Sequence, residues 1–184
     1  MHQVTRLHLA CVAILCCSVA GAACSTNGGE DEDFGETSTL LNGHLGELGD
    51  LKPMVSSLFI ENSGEILIYM SSVTLTCDQL TVSRWLGDVE MGAQVVEIVV
   101  PTELAVDAVA VEPGGAEVNY ALGGRSSAYE KSAVGGHLTF TKMLPAMRVA
   151  GAIVEGTVVA DYADGSDSVK GRFQAEFCEG GQGY

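Results

Sequence analysis

The chain has 184 residues, room for one domain with accessories, and carries 24 acidic against 9 basic side chains, a net charge of −15. That balance argues against a nucleic-acid binder, because a phosphate backbone needs a basic face, and anionic lipid headgroups would repel it for the same reason. It favours solubility and attraction of cations.

Met1–Arg6 is short and holds one fixed positive charge, and Leu7–Ala20 is apolar apart from His8 and Ser18. The apolar run is too short to span a bilayer comfortably. Ala20, Gly21, Ala22 and Ala23 follow. The order of charged start, apolar centre and small-residue end predicts a secretory signal over residues 1–23. Cys24 then follows two small residues, which resembles the lipobox of bacterial lipoproteins, with Gly21 where an aliphatic residue is usual. The resemblance implies lipidation of Cys24 and an anchor of several acyl chains, which holds far more firmly than one. Ser25 at the next position resembles outer-membrane sorting. Ala20-Gly21-Ala22 also fits an ordinary cleavage site, which would release a soluble chain.

Residues 24–50 combine Gly, Ser and Thr with Glu30, Asp31, Glu32, Asp33, Glu36, Glu47 and Asp50, and contain no Lys or Arg. This composition buries too little apolar area to offset ordering entropy, so a disordered tether is expected up to Asp50, with the folded domain at 51–184.

From Leu51 short apolar runs alternate with Gly, Pro, Asn and Asp. Val55–Glu61 and Glu65–Ser71 flank Asn62-Ser63-Gly64, the pattern of a tight hairpin. In the second arm Ile66, Ile68 and Met70 share one face and Leu67 and Tyr69 the other, which predicts a central strand covered on both sides. Gln94–Val100 is β-branched and ends at Pro101. Val106–Val111 and Glu117–Leu122 flank "EPGG", a turn signal. Gly123–Gly136, "GGRSSAYEKSAVGG", reads as a long polar loop, and its Arg125 and Tyr129 are the candidate contact residues. His137–Thr141 alternates, with Leu138 and Phe140 inward. Val154–Tyr162 and Ser168–Phe177 flank Asp164-Gly165, and the return arm places Val169, Gly171, Phe173, Ala175 and Phe177 on one face. The expected fold is all-β: an antiparallel sandwich, or a related partly open barrel, of about seven or eight strands. Only Cys77–Trp85 invites a helical turn, and Trp85 reads as a core anchor.

Of six cysteines, Cys11, Cys16 and Cys17 leave with the signal and Cys24 takes lipid. Cys77 and Cys178 remain, an even pair in an oxidising compartment, and a disulfide between them is expected. Strict alternation puts Cys178 on the same face as Glu176, the side expected to be wet, so the bond calls for a rim position or a bulge. "SSVTLTCDQL" together with "GTVVADYADGSDSVKGRFQAEFC" resembles small uncharacterised bacterial secreted lipoproteins that end in a hairpin and a G-x-F-x-A-x-x-C stretch, here Gly171, Phe173, Ala175 and Cys178. The resemblance implies a secreted β-domain with a cysteine pair, and no activity.

The chemistry-bearing residues are sparse. His44 stands in the tether and His137 on an outward strand position, neither beside a second ligand at zinc spacing. Asp161, Asp164 and Asp167 form the densest acidic cluster, read chiefly as turn chemistry and alternatively as a weak calcium site, although the spacing is not that of an EF-hand. Neither a nucleophile elbow nor a metalloprotease motif is present. No cofactor is expected. The leading reading is a non-enzymatic envelope lipoprotein whose β-domain meets an unknown protein or glycan, anchored to membrane by lipid. The alternatives are an exported hydrolase using surface carboxylates and a calcium-binding adhesin-like module. Sugar hydrolysis would need two carboxyls in a cleft, usually with stacking rings, and the chain has only five Phe, five Tyr and one Trp.

Overall fold

Alternating and doubly apolar runs form strands when each face finds a partner layer, and such runs supply most of the nine strands among the described residues. The computed structural model describes residues 39–80, 87–104, 108–124, 129–142, 149, 151–163 and 165–178. Residues 1–23, expected to be a secretory signal, and Cys24, Trp85, Arg125 and Asp164 lie outside them. The strands are β1 (Leu40–His44), β2 (Ser56–Asn62), β3 (Glu65–Ser71), β4 (Gln94–Pro101), β5 (Ala108–Ala110), β6 (Glu117–Leu122), β7 (Lys131–Lys142), β8 (Ile153–Tyr162) and β9 (Ser168–Phe177). No helix among the described residues is long and apolar enough to cross a membrane.

The all-β expectation holds, in its barrel form. Strands β2, β3, β4, β6, β7, β8 and β9 close a seven-stranded ring. Six neighbouring pairs are antiparallel, and the closing pair, β2 with β9, is parallel through Leu58↔Glu176 and Phe59↔Phe177. The parallel pair departs from the antiparallel expectation for a topological reason: a ring of alternating directions with an odd number of members must close on two like directions. Strand β1 pairs with the first half of β9, and β5 pairs with β7.

The two hairpins fall where the turn residues put them. Asn62 pairs with Glu65, and the two residues between, Ser63 and Gly64, have φ of 52° and 88°. Two positive φ values in a two-residue loop match the right-handed twist of the flanking strands. Strands β8 and β9 pair from Ile153↔Glu176 to Asp161↔Ser168. The expected turn between residues 111 and 117 does not make a hairpin: β5 is claimed by β7 through Ala108↔Thr139 and Ala110↔His137. The polar loop expected over Gly123–Gly136 is shorter than its composition implied, since Lys131–Gly136 is already strand β7. Val134 and Ser132 are exposed there, so no apolar period marked the strand.

The interior of the ring is filled. Phe59, Ile68, Val96, Val118, Leu138, Val158 and Phe173, one from each ring strand, belong to a single buried cluster. Phe59 and Phe177 meet at a tilt with 5.2 Å between ring centroids, and Phe140 meets Phe173 edge-on at 6.1 Å. Gly156 stands opposite Phe173, and a Cβ there would lie 2.7 Å from the Phe173 ring. The missing side chain makes room for the aromatic.

A second buried cluster covers the outside of the same wall. Ile60, Tyr69, Val95 and Ala121 alternate with the interior residues of β2, β3, β4 and β6, and they are capped by Leu75, Leu80 and Val89 from the β3–β4 connection. This confirms β3 as a strand covered on both faces. The 3-10 turn Cys77–Leu80 lies in that cap, close to the helical turn expected there. Cys77 and Cys178 are joined across a separation of 101 residues with 5.3 Å between Cα atoms. Cys178 does sit on the face away from the interior, but there the face is roofed, and the residue is 1 % exposed. Glu176 on the same face of β9 is exposed as expected, and Cys178, one residue beyond the strand end at Phe177, takes the rim position, so the bond needs no bulge.

The tether boundary also moves. The expected disorder up to Asp50 gives way to β1 and a 3-10 turn at Gly46–Leu48. Leu41 and Leu45 are buried in the interior cluster, with Leu48 and Leu51 packed against it. These leucines supply the apolar area that the Gly-rich average of the segment concealed. Gln94 pins the segment: its Oε1 accepts from the Lys52 amide at 2.6 Å and its Nε2 donates to the Asp50 carbonyl at 3.3 Å. His44 is therefore not in a tether; its Nδ1 lies 2.8 Å from Asp50 Oδ1 on the exposed rim.

Candidate functional site

Three polar groupings interrupt this apolar architecture. The most buried is built on β3, β4 and β6. Register places Tyr69 opposite Glu97 and Glu97 opposite Asn119, so the three side chains form one row across the outer face. Glu97 alternates with the interior residues Val96 and Ile98 and shares its face with Val95. Its side chain is nevertheless covered, with 2 % exposure. The Tyr129 hydroxyl donates to Glu97 Oε2 at 2.5 Å, and Asn119 Nδ2 donates to the same oxygen at 3.3 Å. Tyr129 precedes Glu130, whose amide donates to the Tyr120 carbonyl at 2.8 Å and so ties the connection to β6.

Burial pushes the Glu97 carboxyl above the usual carboxylate range. Hydrogen bonds from Tyr129, Asn119 and Tyr69 pull the other way, and the nearby charge of Glu117 adds to the rise. Burial, followed by the field of Glu97, also pushes the Tyr69 and Tyr129 hydroxyls up, so both stay protonated donors at neutral pH. The arrangement surrounds a buried carboxyl group with neutral donors, two phenols and an amide, and burial shifts it toward its protonated form.

The second grouping is an ion pair at the rim. Lys131 Nζ contacts Asp167 Oδ2, and Asp167 is 1 % exposed. The Ser166 hydroxyl donates to Asp167 Oδ1 at 3.3 Å. Gly46 packs against the pair: a Cβ on it would be 3.2 Å from the Asp167 carboxylate. The third is a cleft of about 300 Å³ where β1 and β2 part along β9, bounded by Thr39, Val55, Ser57, Ile153 and Glu176. Thr39 Oγ1 occupies the gap in the ladder, donating to the Gln174 carbonyl at 3.1 Å and accepting from the Gln174 amide at 3.2 Å.

Of the acidic trio singled out in the sequence, Asp161 is exposed on β8 and Asp167 is buried and engaged by Lys131. Asp164 lies outside the described residues. Among the described residues no three His, Cys, Asp or Glu side chains converge at metal-binding distance. Of the two candidate contact residues, Arg125 lies outside the described set, and Tyr129 is 42 % exposed with its hydroxyl turned in to Glu97. Sequence reasoning passed over Glu97 itself. Its signal was available: one acid in "QVVEIVV", a strand apolar on both faces, is an anomaly that demands a partner. The Lys131–Asp167 pairing had no such signal, because the two residues are 36 positions apart. Compared with protein families, curated proteins and solved structures, the chain matches none.

Proposed function

We propose that this protein is an exported lipoprotein of the bacterial envelope, anchored through Cys24, whose barrel serves as a structural or interaction module. The observation that carries the reading is the buried Cys77–Cys178 disulfide. Such bonds persist in oxidising compartments and are rare in reducing ones. The apolar run ending in small residues before Cys24 supports export and lipid attachment. A barrel interior filled by aromatic and aliphatic side chains supports a rigid presenting body in place of a ligand carrier. Mass spectrometry of the native N-terminus tests the proposal. The expected product begins at Cys24 and carries the added mass of a diacylglycerol and an amide-linked acyl chain. A product that begins at Met1 refutes export, and an unmodified product cut within residues 20–24 refutes the anchor.

A further inference from the structure

The Lys131–Asp167 pair is held differently from an ordinary surface ion pair. Lys142 and Glu155 lie 3.4 Å apart with side chains 53 % and 35 % exposed. The Asp167 side chain has no exposed surface, and that of Lys131 keeps 24 %. Both backbones are pinned. Lys131 opens β7 opposite Tyr120. Asp167 stands one residue before β9, and its carbonyl accepts from the Tyr162 amide at 3.0 Å. The 3-10 turn that begins at Gly46 covers the pair. Gly46 has φ +59°, and a Cβ on it would lie 3.2 and 3.3 Å from the two carboxylate oxygens and 3.5 Å from Lys131 Nζ. Oδ2 meets the amine, and Oδ1 accepts from the Ser166 hydroxyl at 3.3 Å. A primary amine thus faces a carboxyl group under backbone cover, and neither can drift away.

We propose that Lys131 and Asp167 are an intramolecular modification site: in the folded protein they condense to an isopeptide amide. Nζ bonds to Cγ and the Cγ–Oδ2 bond breaks. Of the three ammonium protons, one stays on nitrogen and two leave with Oδ2 as water, so the ion pair balances the reaction with no co-reactant. Lost contact with water costs the charged forms more than the neutral ones, which brings the amine-and-acid form within reach of the ion pair. Fixed geometry then replaces a chance encounter in solution. The Ser166 hydroxyl holds Oδ1, the oxygen that carries charge in the tetrahedral intermediate and stays as the amide carbonyl. Folding forms the ion pair first, so freshly folded protein carries the salt bridge and the amide accumulates with time. The bond closes residues 131–167 into a covalent loop around β7 and β8. It resists reductants, which the Cys77–Cys178 bond does not. The proposal does not depend on the lipid anchor.

The test is a peptide map by tandem mass spectrometry. Full-length oxidised protein is held folded, with a second sample held in denaturant, and portions taken over time are reduced, denatured and digested. The expected product is a branched peptide joining the segments around residues 131 and 167, lighter by one water than the two linear peptides together. Its share rises in the folded sample and stays at zero in the denatured one. In Lys131→Arg the cation is kept but the guanidinium does not condense, and both segments appear as linear peptides. Folded wild-type protein that gives linear peptides throughout overturns the proposal. So does a water loss that maps to Asp164-Gly165 as a cyclic imide, with no branched peptide. The wild-type map alone decides the matter if the variant fails to fold.

Discussion

Replacing Cys77 and Cys178 together by alanine separates the work of the crosslink from the work of the apolar roof. The bond closes a separation of 101 residues. In the chain-entropy model a loop of this length is worth about 4.7 kcal/mol at 25 °C. Truncating two sulfurs within a dry cluster adds about 1 kcal/mol for the space left behind. Alanine leaves no buried hydroxyl, so polar burial does not enter the sum. At roughly 2–4 °C per kcal/mol for a chain of this size, the melting temperature should fall by about 10–20 °C. The loss should also be uneven. Residues 72–80 and 87–93 roof Ile60, Tyr69, Val95 and Ala121, and Cys178 holds that roof to the end of β9. The variant should therefore bind a hydrophobic dye below its melting temperature, while amide exchange in β7 and β8 stays slow. Calorimetry and dye binding on the oxidised parent and the double variant, at one pH, make the comparison. A fall of less than about 3 °C, a third or less of the roughly 9 °C that even the loop-closure term implies, with no dye binding would show that packing alone secures the roof. The reasoning from loop closure would then be wrong.

Three further outcomes follow from the buried polar groups and one tight glycine. Glu97 holds its proton more tightly in the folded state than in the unfolded chain, so its contribution is favourable at acid pH. That contribution is lost as pH rises from the ordinary carboxylate value through the raised folded-state value; Glu97→Gln should flatten this slope in urea titrations and be the more stable protein at pH 7. Lys131→Met removes the cation from the buried Asp167 carboxylate and should cost about 3–5 kcal/mol, most of it recovered when Asp167→Asn is added; a double variant as unstable as the single one would contradict the pairing. Gly171 has φ +150° and faces β1 so closely that a Cβ would sit 2.0 Å from the Leu40 carbonyl oxygen. Gly171→Ala should cost about 3 kcal/mol and speed amide exchange selectively in Leu40–His44; uniform exchange across the barrel would count against a local clash.

The acidic balance, the hairpins at Ser63-Gly64 and Asp164-Gly165, the two-faced strand β3, the all-β class and the cysteine pair were all legible in the chain. Each rests on local information: period-two alternation, residues that tolerate positive φ, and the parity of the cysteines beyond Cys24. Ring closure was not legible, because whether seven strands end as an open sandwich or a closed barrel depends on β2 meeting β9, 118 positions apart at Leu58↔Glu176. The same non-local packing turned Leu41 and Leu45 from parts of a supposed tether into core. It gave β5 to β7, and it covered Cys178 just past the end of β9. Glu97 shows the division most clearly. The sequence alone set an acid within an apolar strand, where it must find partners or stay neutral. Only the folded ring decided which partners, by bringing Tyr69 and Asn119 alongside it and laying Tyr129 on top. Burial is a property of all the layers around a residue, and one chain segment carries just its own side of that surface.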